Sequence, residues 1–304
     1  MRVLVATDGS ECAALAIDLV ARIDWPAGTA IRVVEAIETG APLFGGPWPA
    51  VAMVHADELE ADVLRIAHET VSAARARIAR PGLDVDTAVL RGRPASAIVD
   101  AATAMAADVI VVGSRGHGTI ESMVLGSVSA EIIDRAHVPV LVARGGAIGP
   151  VLLAWDGSAG AQAGADLVLK WPILAVLPVR VTSVTDVELP WWTGFPEPGA
   201  PGAIPLYLES VEQVRRTHEQ SGLEMVAELE SAGLSANLEV RDGDAATEII
   251  AAARETGTGL IVMGTRGRTG VSRLVLGSVA RNVVQHAPCS VLVVRESPTE
   301  GRPR

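Results

Sequence analysis

Apolar positions along the chain alternate between short continuous runs and longer stretches with helical spacing. Val3–Ala6 is a short apolar run suited to a buried parallel strand. Glu11–Ile23 follows with helical spacing through Leu15, Ile17, Leu19 and Val20. Ile31–Ile37 predicts the next strand, and Asp57–Ile78 a long, charged, Ala-rich helix. Val85–Leu90 alternates like a strand, Ala95–Ala106 is helical, and Val109–Val112 is an apolar strand ending in glycine. Val124–Ala136 predicts a helix and Val138–Val142 a last strand. The pattern then recurs, with strands predicted near Val151–Ala154, Val179–Val184, Ala236–Val240, Leu260–Met263 and Val291–Val294. Strands alternating with helices point to an α/β fold with a parallel sheet covered on both faces. Right-handed crossovers make such a unit doubly wound.

The recurrence is an internal repeat. Residues 2–10 read RVLVATDGS and residues 150–158 read PVLLAWDGS. The stretch from Asp108, DVIVVGSRGHGTIESMVLGSVSAEIIDRAHVPVLVAR, aligns without a gap to the stretch from Gly259, GLIVMGTRGRTGVSRLVLGSVARNVVQHAPCSVLVVR. The chain therefore reads as two tandem domains, 1–146 and 147–304, with the seam near Gly145, Gly146 and Gly149. The copies differ most after the second strand, where GAPLFGGPWPA at 40–50 faces ELPWWTGFPEPGAPGAIP at 188–205. Both segments are too rich in Pro and Gly for regular structure. Two readings stand for these Trp- and Pro-rich loops: a surface lid or packing loop, or a surface that docks a protein partner.

Composition narrows the function classes. The 304 residues carry 25 basic and 36 acidic side chains, a net charge of -11. Non-specific nucleic-acid binding requires a basic surface, and an anionic membrane requires the same, so neither is the expected partner. No run of 18 apolar residues suits a transmembrane helix, and the N-terminus lacks the apolar region of a signal peptide. Two cysteines, Cys12 and Cys289, do not make a disulfide scaffold, so a cytoplasmic protein is expected. Cys12 lies early in the first helix, where it is either an activated thiol or a partly buried structural one.

The candidate chemistry lies after the fourth strand of each copy. Gly113 and Gly116 are followed, after nine residues, by Gly126 and Ser127. Gly264 and Gly267 are followed, after nine residues, by Gly277 and Ser278. The carboxyl end of a buried strand is where doubly wound sheets bind ligands. Glycine there permits positive φ and close ligand approach. Gly126-Ser127 opens the next helix, where free amides and the helix dipole favour a phosphate. Arg115, Arg266 and Arg268 add positive charge. The bland alternative is that these glycines only make tight turns. There is no G-x-x-x-x-G-K-[ST] loop, no G-x-S-x-G elbow and no His spacing for a metal, and Lys170 is the sole lysine.

This spacing resembles the ATP-binding signature of universal stress proteins. VATDGS and VLLAWDGS also resemble that family's first strand, as do GRPASAI at 92–98 and the endings PVLVAR and SVLVVR. The resemblance covers nearly the whole chain. It implies a five-stranded parallel sheet per repeat, in the order 3-2-1-4-5, with ATP at the carboxyl ends of strands one and four. The adenine-contacting acid matches Asp8 and Asp156, and the backbone position before it matches Ala6 and Ala154. The second-strand position bordering the base matches Ala36 and Val184. The ribose and phosphate loop matches Gly113, Ser114, Arg115, Gly116, His117, Gly118 and Thr119, and in the second copy Gly264, Thr265, Arg266, Gly267, Arg268, Thr269 and Gly270. The phosphate-binding helix start matches Gly126, Ser127 and Val128, and Gly277, Ser278 and Val279. Asp8 and Asp156 have a plainer alternative, as caps of the helix that follows. The second copy departs from the pattern with GDAAT at 243–247 and with Ser290 opposite Pro139.

The resemblance implies a non-catalytic, ATP-binding regulatory protein with one site per repeat, and last strands that pair across an interface, within one chain or between two chains, in a protein that is at least a homodimer. Mg²⁺ beside the triphosphate, near Ser127 and Ser278, is left open. The competing function is a slow ATPase or a nucleotidyl transferase of a related α/β fold. His117 aligns with Arg268. Beside a triphosphate it would tighten the first site as pH falls, whereas pointing to solvent it would not.

Overall fold

The computed structural model describes residues 1–38, 56–116, 125–145, 147–185, 203–265, 267 and 276–296; of 56–57, 203–208 and 210 it describes the backbone alone. Its contacts divide the chain into unit 1, Met1–Ile148, and unit 2, Gly149–Arg304.

In unit 1 the chain runs β1 (Arg2–Ala6), α1 (Glu11–Arg22), β2 (Thr29–Ile37), α2 (Ala56–Ile78), β3 (Leu83–Arg91), α3 (Pro94–Ala104), β4 (Val109–Gly113), α4 (Ser127–Arg135) and β5 (Val140–Ala143). All pairings within this unit are parallel, in the order β3-β2-β1-β4-β5. In unit 2 it runs β6 (Val151–Ala154), α5 (Ala159–Lys170), β7 (Val179–Thr185), α6 (Ala203–Ser231), β8 (Ala236–Asp242), α7 (Ala245–Glu255), β9 (Leu260–Gly264), α8 (Ser278–His286) and β10 (Ser290–Val294). Its order is β8-β7-β6-β9-β10, again parallel. Each unit therefore has the expected 3-2-1-4-5 sheet. In unit 1, α1 packs against α2, and α3 against α4. This is the doubly wound arrangement.

The central strands are continuous apolar runs because helices cover both their faces. Every residue of β4 and β9 is buried. Leu4, Ile110, Leu152 and Leu153 are among the largest fully buried side chains. Truncating one of them to Ala removes packing worth about 2–5 kcal/mol. In α1 the buried residues Ala13, Ala16, Ile17 and Val20 repeat at helical spacing. The Ser10 hydroxyl caps that helix by accepting the Ala13 amide at 3.2 Å.

Element ends differ from the sequence pattern for local reasons. The helix expected from Val124 begins at Ser127, because the extended backbone of Gly126 (φ -63, ψ 147) is its N-cap. The strand expected from Val138 begins at Val140. Pro139 has no N–H to donate, although its carbonyl accepts the Ile110 amide at 3.0 Å. The loop read as reaching residue 205 gives way to α6 at Ala203, since a proline in the first turn of a helix interrupts no hydrogen bond. The segment 40–50 lies outside the described residues, as does 188–202.

Candidate functional site

The carboxyl ends of β1, β2 and β4 converge on a cavity of about 500 Å³ in unit 1. Parallel register brings its walls together. Ala6 pairs with Val34, so Ala36, two residues on, faces the same side of the sheet. Val5 pairs with Val111, which places Val112 beside Ala6. The opposite wall comes from Pro94 and Ile98 of α3 and from Val128 and Ile132 of α4. The polar rim is formed by Asp8, Arg115, Gly116, Gly126 and Ser127. An apolar interior of this size with a few polar groups at one side suits a small organic ligand with a charged end. The N-terminal amides of α4 open onto that polar side.

The three loop glycines serve three different purposes. A Cβ on Gly113 would lie 2.7 Å from the Cys12 carbonyl, so this glycine lets β4 pack against the start of α1. A Cβ on Gly116 would overlap the Asp8 carboxylate. Gly126 donates its amide to the Ser114 carbonyl at 2.9 Å and caps α4. None of the three lies in the left-handed region, so close approach rather than positive φ accounts for them. The positive φ occurs at Gly9 (+77°), directly after Asp8. There the chain turns sharply from β1 into α1.

Asp8 is not the cap of α1. Its Oδ1 accepts the Ser10 amide at 3.0 Å, and Ser10 provides the cap. The Ser10 hydroxyl also donates to the Arg115 carbonyl at 3.4 Å, which ties the β1–α1 turn to the glycine loop. Ser129 donates to the Gly113 carbonyl at 2.8 Å and holds α4 against β4.

Unit 2 repeats this geometry. Asp156 Oδ1 accepts the Ser158 amide at 2.9 Å, and Ser158 caps α5 through the Ala161 amide at 3.2 Å. Gly157 has φ +73°. A Cβ on Gly264 would lie 2.5 Å from the Gly160 carbonyl carbon, and one on Gly267 would lie 2.6 Å from Asp156 Oδ2. Gly277 donates its amide to the Thr265 carbonyl at 2.9 Å and is the N-cap of α8. Ala154 pairs with Thr182, so Val184 occupies the register position of Ala36.

Such a twofold arrangement, strand by strand, is what a duplicated family domain would leave. A model of the universal stress protein family matches the chain twice, at residues 1–144 and 148–295. The chain belongs to the universal stress protein family. A universal stress protein of Mycolicibacterium smegmatis is 27% identical over 287 residues, covering 90% of this chain and 83% of that one. Universal stress protein YxiE of Bacillus subtilis is 29% identical over 147 residues, covering 47% of this chain and 98% of its own. A solved universal stress protein from Archaeoglobus fulgidus superposes with a TM-score of 0.60 at 20% identity, covering 97% and 98% of the two chains. The shared feature at that identity is the fold.

Ala6, Asp8, Ala36, Gly113, Arg115, Gly116, Gly126, Ser127 and Val128 all line the unit 1 cavity of this universal stress protein. Ser114 is buried at the base of the loop, where its carbonyl meets Gly126. In unit 2, Thr265 is buried likewise, and Ser278 and Val279 open α8. His117, Gly118 and Thr119 lie outside the described residues, as do Arg266, Arg268, Thr269 and Gly270. Thr7, Ala13, Pro94, Ile98, Val112, Leu125, Ser129 and Ile132, none of them a site residue expected from the sequence, also line the cavity. Pro94 and Ile98 belong to the GRPASAI segment, so a signal for them was present. Cys12 is half-buried at the second position of α1, and Cys289 is buried. Among the described residues no cluster of His, Cys, Asp or Glu is arranged to hold a metal ion. No described helix is long and apolar enough to cross a membrane.

Proposed function

We propose that each repeat binds one ATP molecule and that nucleotide occupancy sets a regulatory conformation or interaction. One observation carries this reading: the unit 1 cavity joins an apolar compartment to the glycine loop and the first residues of α4. The base would lie between Ala36 and Ile98, and the phosphates would meet the Gly116 and Gly126–Val128 backbone. The signature spacing in both copies and the duplicated Asp–Gly geometry support the same role in unit 2. Mg²⁺ would accompany the triphosphate through its own phosphate oxygens and the Ser127 or Ser278 hydroxyl. A regulatory rather than catalytic role fits the family, and a slow ATPase is the competing reading. Pairing of the last strands, β5 and β10, within one chain or between two chains of a dimer, belongs to the same proposal, because an unpaired apolar strand calls for a partner.

The test is mass spectrometry of ligand released from purified protein, with binding titration as its complement. An adenine nucleotide in the released fraction, or saturable ATP binding, is the expected outcome. No adenine nucleotide by either route would leave a structural stress protein without a working site. Light scattering at micromolar concentration is expected to give at least the dimer mass. A monomer mass would remove the inter-chain pairing.

A further inference from the structure

We infer that Glu131 is a positioning residue of unit 1. With Arg93, Arg135 and Ser96 it straps α3 to α4 across the outer wall of the cavity. Unit 2 lacks this strap, so the two repeats hold a ligand behind walls of different stiffness. The effect on ligand exchange rests on the nucleotide reading above, whereas the strap itself does not.

Pro94 and Ile98 of α3 and Val128 and Ile132 of α4 make that wall. Glu131 and Arg135 follow Val128 at helical spacing and lie one turn apart on α4. The Arg135 Nη1 group donates to Glu131 Oε1 at 2.9 Å and to Ser96 Oγ, in the first turn of α3, at 2.7 Å. The other Glu131 oxygen, Oε2, stands 3.6 Å from Nη2 of Arg93, the N-cap of α3. One carboxylate thus ties α4 to α3 twice, directly through Arg93 and through Arg135 to Ser96. A lone exposed ion pair holds little, but the Glu131 side chain is only 34% exposed and anchors a network.

The equivalent positions in unit 2 are Asp244, Thr247, Asn282 and His286. Asp244 and Thr247 bond to each other at the start of α7, and the His286 ring meets the Asn282 carbonyl of its own helix at 3.0 Å. Each helix satisfies itself. Among the described residues none of these four side chains crosses to the other helix. A ligand held between such a wall and the sheet escapes as the wall opens, and a tie across the wall makes opening rarer.

The test compares three full chains: wild type, Glu131→Gln, and Asn282→Glu with His286→Arg. The last pair gives unit 2 a carboxylate and an arginine facing Thr247. Amide hydrogen exchange is read first, without ligand. Glu131→Gln should speed exchange of 94–104 and 127–135 by roughly threefold and leave 245–255 and 278–286 as they are. The paired substitution should slow exchange of 245–255 and 278–286. Release of a fluorescent ATP derivative into excess ATP is read second. Wild type should release it in two phases. Glu131→Gln should speed only the slower phase, by roughly threefold, and the unit 2 pair should slow only the faster one. Unchanged exchange in α3 and α4, or an equal rise in both units, would overturn the strap. A single release phase in wild type, or two phases that Glu131→Gln moves alike, would overturn its control of the ligand. Wild-type protein that binds no ATP derivative would overturn the nucleotide reading, while the exchange result still decides the strap.

Discussion

Asp8 and Ser10 divide two tasks that the sequence presents as one. The DGS turn left open whether the acid caps α1 or serves the site. The cap is the Ser10 hydroxyl, and the acid shapes the turn and faces the loop. The glycine spacing marked a loop that lines the unit 1 cavity but hid the reasons for each glycine, because identical letters serve helix packing at Gly113, carboxylate contact at Gly116 and capping at Gly126. These reasons make different predictions. Gly113→Ala forces a methyl into the Cys12 backbone, and overpacking of this kind costs about 1–3 kcal/mol. Urea unfolding should show that loss, and Gly264→Ala should behave alike against Gly160. If Gly113→Ala unfolds at the wild-type midpoint, the packing account of this glycine fails.

Elements were legible wherever one period dominated. Nine-residue β2 and the short, fully apolar β4 and β9 were read from the sequence with small shifts at their ends. The start of α4 was misplaced because Leu125 continues the apolar pattern while Gly126 ends it with an extended backbone. The start of α7 shows how divergence left a capping site in place. Unit 1 opens α3 with Pro94 after Arg93, which makes no side-chain cap. Unit 2 opens α7 with Asp244, which accepts the Thr247 hydroxyl at 2.5 Å and the Thr247 amide at 2.8 Å. These hydrogen bonds hold the Asp244 carboxyl below the usual carboxylate range, the hydroxyl contributing most. A carboxylate with a lowered folded-state pKa stabilises the fold above its unfolded value, about 3.9, and that contribution is lost as pH falls through the folded value. Asp244→Ala should therefore cost about 1 kcal/mol at pH 7, and the difference from wild type should shrink below about pH 4. Urea unfolding at both pH values checks this, and an equal difference at both would rule out the ionised cap. Arg241 reinforces the same corner by joining Glu239 of β8 to Glu248 and Glu255 of α7, and its pKa is raised chiefly by the Glu255 hydrogen bond.

At the scale of the whole chain the fold was legible because the molecule states it twice. A single GSRG loop is ambiguous, whereas two loops at one spacing, each after an apolar strand and before a helix, mark a duplicated α/β unit. The cavity's inner wall was less legible. Ile98, Val112 and Ile132 read as ordinary core positions, and only the sheet register shows that they face the same opening as Ala36. The register also shows where the two repeats differ, with Val184 opposite Ala36 and Met263 opposite Val112. The central claim is one nucleotide site per repeat, and calorimetric titration of the full chain with ATP tests it most directly. The expected result is two equivalents bound per chain, falling to one tightly bound equivalent in Gly116→Ala and to one in Gly267→Ala. A stoichiometry of two that neither substitution changes would contradict the account, as would no binding at all.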